Sequence, residues 1–232
     1  MILLDKHTDF QKGIIIPFNK DYGWTSFELV KKVRSILNRN LGYTRIKVGH
    51  AGTLDPLATG LVLTCTGAAT KKIHSLQEME KEYIAEIHLG ETTPSFDLET
   101  SVDQAFPVDH IREDLVKKVL NNLTGTILQL PPVFSAKWSD GKRAYKLART
   151  GKVPDLKPVP VSIHTMELVS YKLPDIIIRI VCSKGTYIRA LARDIGSELQ
   201  SGAYLKNLTR TRIGEYLLSQ SFTLKNFEEK IK

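Results

Sequence analysis

The chain has 232 residues, with 33 Lys and Arg against 25 Asp and Glu, a formal net charge of +8. That length suits one large domain or two subdomains with a shared core, and the basic excess favours a polyanionic partner, either nucleic acid or an acidic membrane surface. No apolar run approaches a membrane span, "MILLDKHTDF" lacks a signal-peptide pattern, and the six His are scattered without metal-ligand spacing. Cys65 and Cys182 each end an apolar, strand-like run, so buried reduced thiols and a cytoplasmic protein are expected.

In chain order, "GIIIPF" reads as a short buried strand ending near Lys20. "TSFELVKKVRSIL" is predicted as a helix, because Thr25 and Glu28 have capping-box spacing. Phe27, Val30 and Leu37 can share one face of it, with Lys31, Lys32 and Arg34 mostly on the other. "GLVLTC" is a candidate buried strand. In "EYIAEIHLG", Tyr83, Ala85, Ile87 and Leu89 alternate with Ile84, Glu86 and His88, the period of a strand.

Residues 90–108 read as a long polar loop, a kind of segment that is often functional. "REDLVKKVLNNLTG" reads as an amphipathic helix closed by Gly125. "VPVSIHTMELVSY" and "DIIIRIVC" read as paired strands, followed by a helix in "TYIRALARDIGSEL". "LTRTRIGEY" and a short helix form the tail. Strands and helices are mixed, with several hairpins, so the fold class is α+β rather than strictly alternating α/β.

The stretch "KVGHAGTLDPLATGLVLTCTG" holds a single acid, Asp55. Gly52, Pro56 and Gly60 interrupt any continuous helix or strand, and Asp before Pro favours an extended or turn backbone. Two readings follow. Asp55 either caps a turn through its own side chain, or is a carboxylate held on a rigid loop as nucleophile or electrostatic stabiliser. A glycosidase needs two carboxylates, one of them a proton donor to the leaving group. A lone acid suits a reaction whose leaving group is reattached, an isomerisation at a glycosidic carbon.

"GHAGTLDPLATGLVL" resembles the signature loop of the TruB family of tRNA pseudouridine synthases. "KEYIAEIHLGETTPSFD", "LPPVFSAKWSDGKRAYKLARTG", "CSKGTYIRALARDIG" and "AYLKNLTRTRIGEY" resemble further family blocks in family order, so the resemblance covers roughly residues 13–216. It implies a single pseudouridine synthase domain over residues 1–232. Its fold would be a mixed, mostly antiparallel central sheet flanked by helices, with a central RNA-binding cleft. It also implies a uridine in the T-loop of tRNA as substrate. The N1–C1′ bond breaks, the base turns over, and C5 joins C1′, with no cofactor and no metal.

By the same resemblance Asp55 is the catalytic aspartate and Tyr83 stacks on the target base. Arg189 pairs with the aspartate and Leu208 lines the pocket. His50, Lys20 and Tyr187 belong to the RNA-contacting set. "NKDYGWTS" lacks the proline that usually follows the lysine, Tyr204 stands where a histidine is usual, and Thr209 interrupts a double-arginine pair. The chain stops soon after "IGEYLL", so a C-terminal PUA domain is not expected.

A uridine in a folded tRNA loop must be flipped out to react, and stacking on an aromatic returns ~1–3 kcal/mol. Residues 128–152 are the expected phosphate-binding thumb. There Lys137, Lys142, Arg143, Lys146, Arg149 and Lys152 alternate with Phe134, Trp138 and Tyr145. The resemblance implies the T-arm of tRNA as partner, with no membrane and no obligate protein partner, and the chain is expected to be a monomer. Two rivals keep the basic surface but change the function: a non-catalytic RNA chaperone, and a synthase acting on ribosomal RNA or within a guide-RNA complex.

Overall fold

The structure, a computed structural model, describes residues 4–134, 138–139, 142–143 and 155–232. Its first half runs β1 (Ile15–Lys20), α1 (Ser26–Leu41), β2 (Val48–Ala51), β3 (Ala58–Thr66), α2 (Ile73–Glu78), β4 (Lys81–Leu89), β5 (Glu91–Thr92), β6 (Gln104–Ala105) and α3 (Glu113–Asn122). The second runs β7 (Gly125–Gln129), β8 (Trp138–Ser139), β9 (Lys142–Arg143), β10 (Val159–Lys172), β11 (Asp175–Cys182), α4 (Ile188–Glu198), β12 (Ala203–Ile213), β13 (Tyr216–Leu217) and α5 (Leu224–Lys230). This is an α+β fold with a mixed, mostly antiparallel sheet flanked by helices. The chain divides into two units, Met1–Tyr83 with Thr209–Lys232, and Ile84–Leu208, whose boundaries fall inside β4 and β12.

In the first unit the strands are ordered β1-β3-β12-β4, with β2 on β3 and β13 on β12. The antiparallel register pairs Ile15 with Cys65 and Ile16 with Thr64, so β1 and β3 sort their side chains onto two faces. One face carries Leu61, Leu63 and Cys65, which pack with Ala51, Ala69, Leu76 and Ile213. The other belongs to Ile16 and Phe18, and Phe227 of α5 meets Phe18 edge-on at 5.1 Å and Phe10 at 6.1 Å. Such edge-to-face pairs set the ring quadrupoles favourably beyond the area they bury.

Helix α1 starts on the predicted capping box. Thr25 Oγ1 accepts from the Glu28 N–H at 3.1 Å, and Glu28 Oε2 accepts from the Thr25 N–H at 2.8 Å. It buries Leu29, Val30, Val33, Ile36 and Leu37. Phe27 departs from the expected apolar face: it is 58% exposed, with the Lys31 ammonium 4.7 Å from its ring centre.

In the second unit the order is β12-β4-β11-β10-β7. Ile176, Ile178 and Ile180 of β11 and Ala85, Ile87 and Leu89 of β4 are fully buried, as their alternation predicts. Helix α3 packs on β10 and α4. Two expectations change. Gly125 does not close α3, which ends at Asn122; its left-handed backbone, φ 108°, opens β7. The polar segment 90–108 contains the small β5–β6 ladder. The tail block "LTRTRI" lies in the long strand β12.

Candidate active site

Asp55 sits in the first unit, half-buried, between β2 and β3. The backbone around it is fastened group by group. Arg210 of β12 is 1% exposed; its Nη2 donates to Gly52 O at 3.2 Å, Nη1 to Thr53 O at 3.3 Å and Nε to Leu61 O at 2.6 Å. The Ser26 hydroxyl of α1 accepts from Leu54 N–H at 2.9 Å and donates to Leu54 O at 3.1 Å. The Gly23 N–H donates to Pro56 O at 2.8 Å, and the Ala58 N–H donates to Asp55 O at 3.1 Å. A loop so satisfied cannot trade these bonds for water without loss, so its aspartate is held rather than mobile.

Lys20 completes the fastening, and here an expectation is corrected. The residue is 1% exposed, and its ammonium donates to Ala58 O at 2.5 Å, Asp21 O at 3.1 Å and Pro56 O at 3.4 Å. It faces inward and braces the loop, so it has no surface to offer an RNA phosphate. Pairing opposite Gly60 in the β1–β3 ladder puts it there. A side chain at Gly60 would also collide with the β12 backbone, since a Cβ would lie 2.4 Å from Arg210 O. Burial pulls the Lys20 ammonium down to about 8, against the attraction of the Asp55 carboxylate and helped by the charge of Arg210.

His50 of β2 and Tyr83 of β4 belong to the same unit. Tyr83 is buried on the inward-facing side of β4. His50 is half-buried, and its Nδ1 is enclosed with no hydrogen-bond partner among the described residues. Burial lowers the His50 imidazole below its usual range, opposed by a backbone hydrogen bond with Gly52 and reinforced by Arg210.

The remaining proposed residues lie in the second unit. Arg189, in the first turn of α4, is 5% exposed. Its Nε lies 3.5 Å from Asp97 Oδ2, its Nη1 donates to Ser95 O at 3.3 Å and its Nη2 to Phe134 O at 3.0 Å. Asp97 is itself fixed. Its Oδ1 accepts from the Glu99 N–H at 3.0 Å, and its carbonyl accepts from Thr93 Oγ1 at 2.7 Å and Ser95 Oγ at 3.1 Å. Phe96, between Ser95 and Asp97, adopts φ 62°, a left-handed conformation costly for a residue with a Cβ. The strain turns the Ser95 carbonyl and the Asp97 side chain toward one guanidinium. Tyr187 is the N-cap of α4, and Leu208 is buried in β12.

Lys137, Lys146 and Arg149 lie outside the described residues. Lys142–Arg143 form β9, paired with Trp138–Ser139, so the backbone at Arg143 is a short hairpin; its side chain is not described.

Sequence reasoning missed Arg210 and Asp97. In "LTRTR", the position of Arg210 two residues after Leu208, on the same side of a strand, was the available signal. Asp97 lay in a segment read only as a polar loop.

Residues 36–188 match the N-terminal domain of the TruB family of pseudouridylate synthases. The chain is 56% identical to tRNA pseudouridine synthase B of Parabacteroides distasonis, covering 95% of this chain and 94% of that protein. It is 53% identical to the protein of that name from Phocaeicola vulgatus, with the same coverage. Among solved structures it resembles a chain of a Cbf5–Nop10–Gar1 complex (TM-score 0.71, 28% identity, 95% of this chain) and one of the archaeal box H/ACA sRNP Nop10–Cbf5 complex (TM-score 0.68, 26% identity, 95% of this chain). It spans about half of each of those chains, 54%. With its match to the family domain and more than half its residues shared with such relatives, this chain belongs to the TruB family of pseudouridylate synthases.

Proposed function

We propose that this protein isomerises a uridine in the T-loop of tRNA to pseudouridine, with Asp55 as its catalytic carboxylate. The observation that carries the reading is the fixing of the Asp55 loop by two buried cations, Lys20 and Arg210, through backbone carbonyls on both sides of the acid. These bonds steady the fold and at the same time hold the carboxylate in one position, which is what a catalytic acid requires. The relatives named tRNA pseudouridine synthase B, 56% and 53% identical, support tRNA as the substrate.

The chemistry is balanced without a co-reactant. The uridine is flipped from its stack, Asp55 assists departure of N1 from C1′, the base rotates, and C5 bonds to C1′. C5 then gives up its hydrogen as a proton, and N1 acquires one. Tyr83 stacks on the base, Leu208 lines the pocket, Arg189 is the positive partner of the acid, and His50 and Tyr187 contact the RNA. Arg143 and the basic residues around it neutralise phosphates. The protein works as a monomer in the cytoplasm, without a protein partner. Among the described residues no helix is long and apolar enough to cross a membrane.

The test is release of tritium from an unmodified tRNA transcript labelled at uridine C5, followed by mapping of the modified position. Stoichiometric release with the product in the T-loop is expected. Tight binding without release returns the function to an RNA chaperone, and release from a position outside the T-arm overturns the substrate assignment.

A further inference from the structure

The segment leaving β7 is stitched to the helix that carries Arg189, and its first stitch is made by a residue with no role so far. Gln129 is fully buried at the end of β7. Its Oε1 accepts from the Tyr187 N–H at 2.9 Å, and its Nε2 donates to Tyr187 O at 3.2 Å. Leu130 O then accepts from Arg193 Nη2 at 3.2 Å, and Phe134 O from Arg189 Nη2 at 3.0 Å. All of these residues belong to the second unit.

A side-chain amide carries the donor and acceptor of a peptide group on one rigid plane. Gln129 therefore does for Tyr187 what a neighbouring strand would do, fixing its N–H and C=O together. Tyr187 is the N-cap of α4, and its own side chain makes no capping bond to that helix start. Tyr187 O also accepts the first helical bond, from the Leu191 N–H at 3.0 Å. The orientation of the first turn, and so of Arg189 two residues on, is thus set at Tyr187. Asn is too short to make both bonds from the same backbone, and an ionised Glu lacks the donor.

We propose that Gln129 is a positioning residue for the reaction, clamping the backbone of Tyr187 so that Arg189 is presented in one orientation. The role rests on the isomerase reading above. It concerns the rate of the chemical step more than RNA affinity, because Gln129 has no surface on which RNA can rest.

The experiment is a double-mutant cycle of Gln129→Met and Arg189→Lys, read by single-turnover tritium release at saturating enzyme, with amide hydrogen exchange at Tyr187. Gln129→Met keeps the volume and removes both bonds. It is expected to slow release at least about tenfold, since small misplacements of reacting groups are costly, while RNA affinity changes less than about threefold. Added to Arg189→Lys it should slow release little further, because both act through the same guanidinium. The Tyr187 amide should exchange faster in Gln129→Met.

Val116→Ala, a core truncation on α3 in the same unit, should lower the melting temperature and leave the rate unchanged. If Gln129→Met does not fold, Gln129→Glu, which keeps the acceptor, should show the same rate loss in smaller measure. A wild-type rate in these variants, or fully multiplicative losses in the cycle, overturns the role. The wild type is assayed alongside: no release by the wild type itself overturns the isomerase reading, whereas release by the wild type and an equal rate in Gln129→Met overturns the positioning role alone.

Discussion

Arg210 and Arg189 are both buried guanidiniums, and each unit solves the cost of burial differently. Arg210 is satisfied by the carbonyls of Gly52, Thr53 and Leu61. Arg189 has the carboxylate of Asp97 at 3.5 Å as well as the carbonyls of Ser95 and Phe134. Carbonyls satisfy the N–H groups of a guanidinium but carry no net charge, so the field of Arg210 reaches its neighbours, and it helps to depress both Lys20 and His50. Arg189 has a counter-ion of its own within the unit. One arginine is scaffold whose charge also reaches Lys20 and His50; the other is a charge held against an acid.

The comparison breaks most visibly at Arg210. Arg210→Met strips donors from two loop carbonyls and one in β3 and should cost about 3–4 kcal/mol in unfolding free energy. Single-turnover release should fall at least about a hundredfold as the acid loses its register. Arg210→Lys, a point charge without the planar fork, should recover only part of either.

Next comes Asp97→Asn, which removes the counter-ion but keeps an acceptor. A cost of about 1–3 kcal/mol is expected, with a loss of release rate that Arg189→Lys does not enlarge. A strictly additive pair would separate Asp97 from Arg189 in function.

Lys20 sharpens the electrostatic half of the comparison. Its folded-state pKa of about 8 lies below the ordinary 10.5, so the unfolded chain binds that proton more tightly. Wild-type stability should therefore rise with pH between those two values, by up to about 1 kcal/mol per pH unit. Denaturant titrations of Lys20→Met should lack that rise. A wild type that loses stability relative to the variant across this window would contradict the placement of the ammonium.

The smallest effect belongs to a third arginine, half-buried on the sheet. Arg179 makes a two-pronged pair with Glu167, both bonds at 3.0 Å, but Glu167 is 56% exposed. Glu167→Gln should change stability by less than about 1 kcal/mol and leave tritium release untouched.

How much was legible in the sequence follows the range of each interaction. The capping box of Thr25 and Glu28 and the alternation of Tyr83, Ala85, Ile87 and Leu89 are local, and both were readable. Asp55 stood out because glycines and proline isolate it. Arg210 and Asp97 were not readable, since what makes each burial tolerable comes from distant segments: residues 52, 53 and 61 for the first, Arg189 for the second. Phe27 misled for a related reason. The helical period puts it beside Val30, but it lies near the N-terminal end of α1, where Lys31 rather than the core covers its ring.

The central claim is that a fixed carboxylate at position 55 performs the rearrangement. The most direct measurement compares wild type and Asp55→Asn for tritium release from C5-labelled tRNA and for tRNA affinity in the same buffer. Affinity within about threefold of wild type and no release over many wild-type half-lives are predicted, because Asn preserves the shape of the side chain but cannot supply the charge. Release by Asp55→Asn at the wild-type rate would contradict the account.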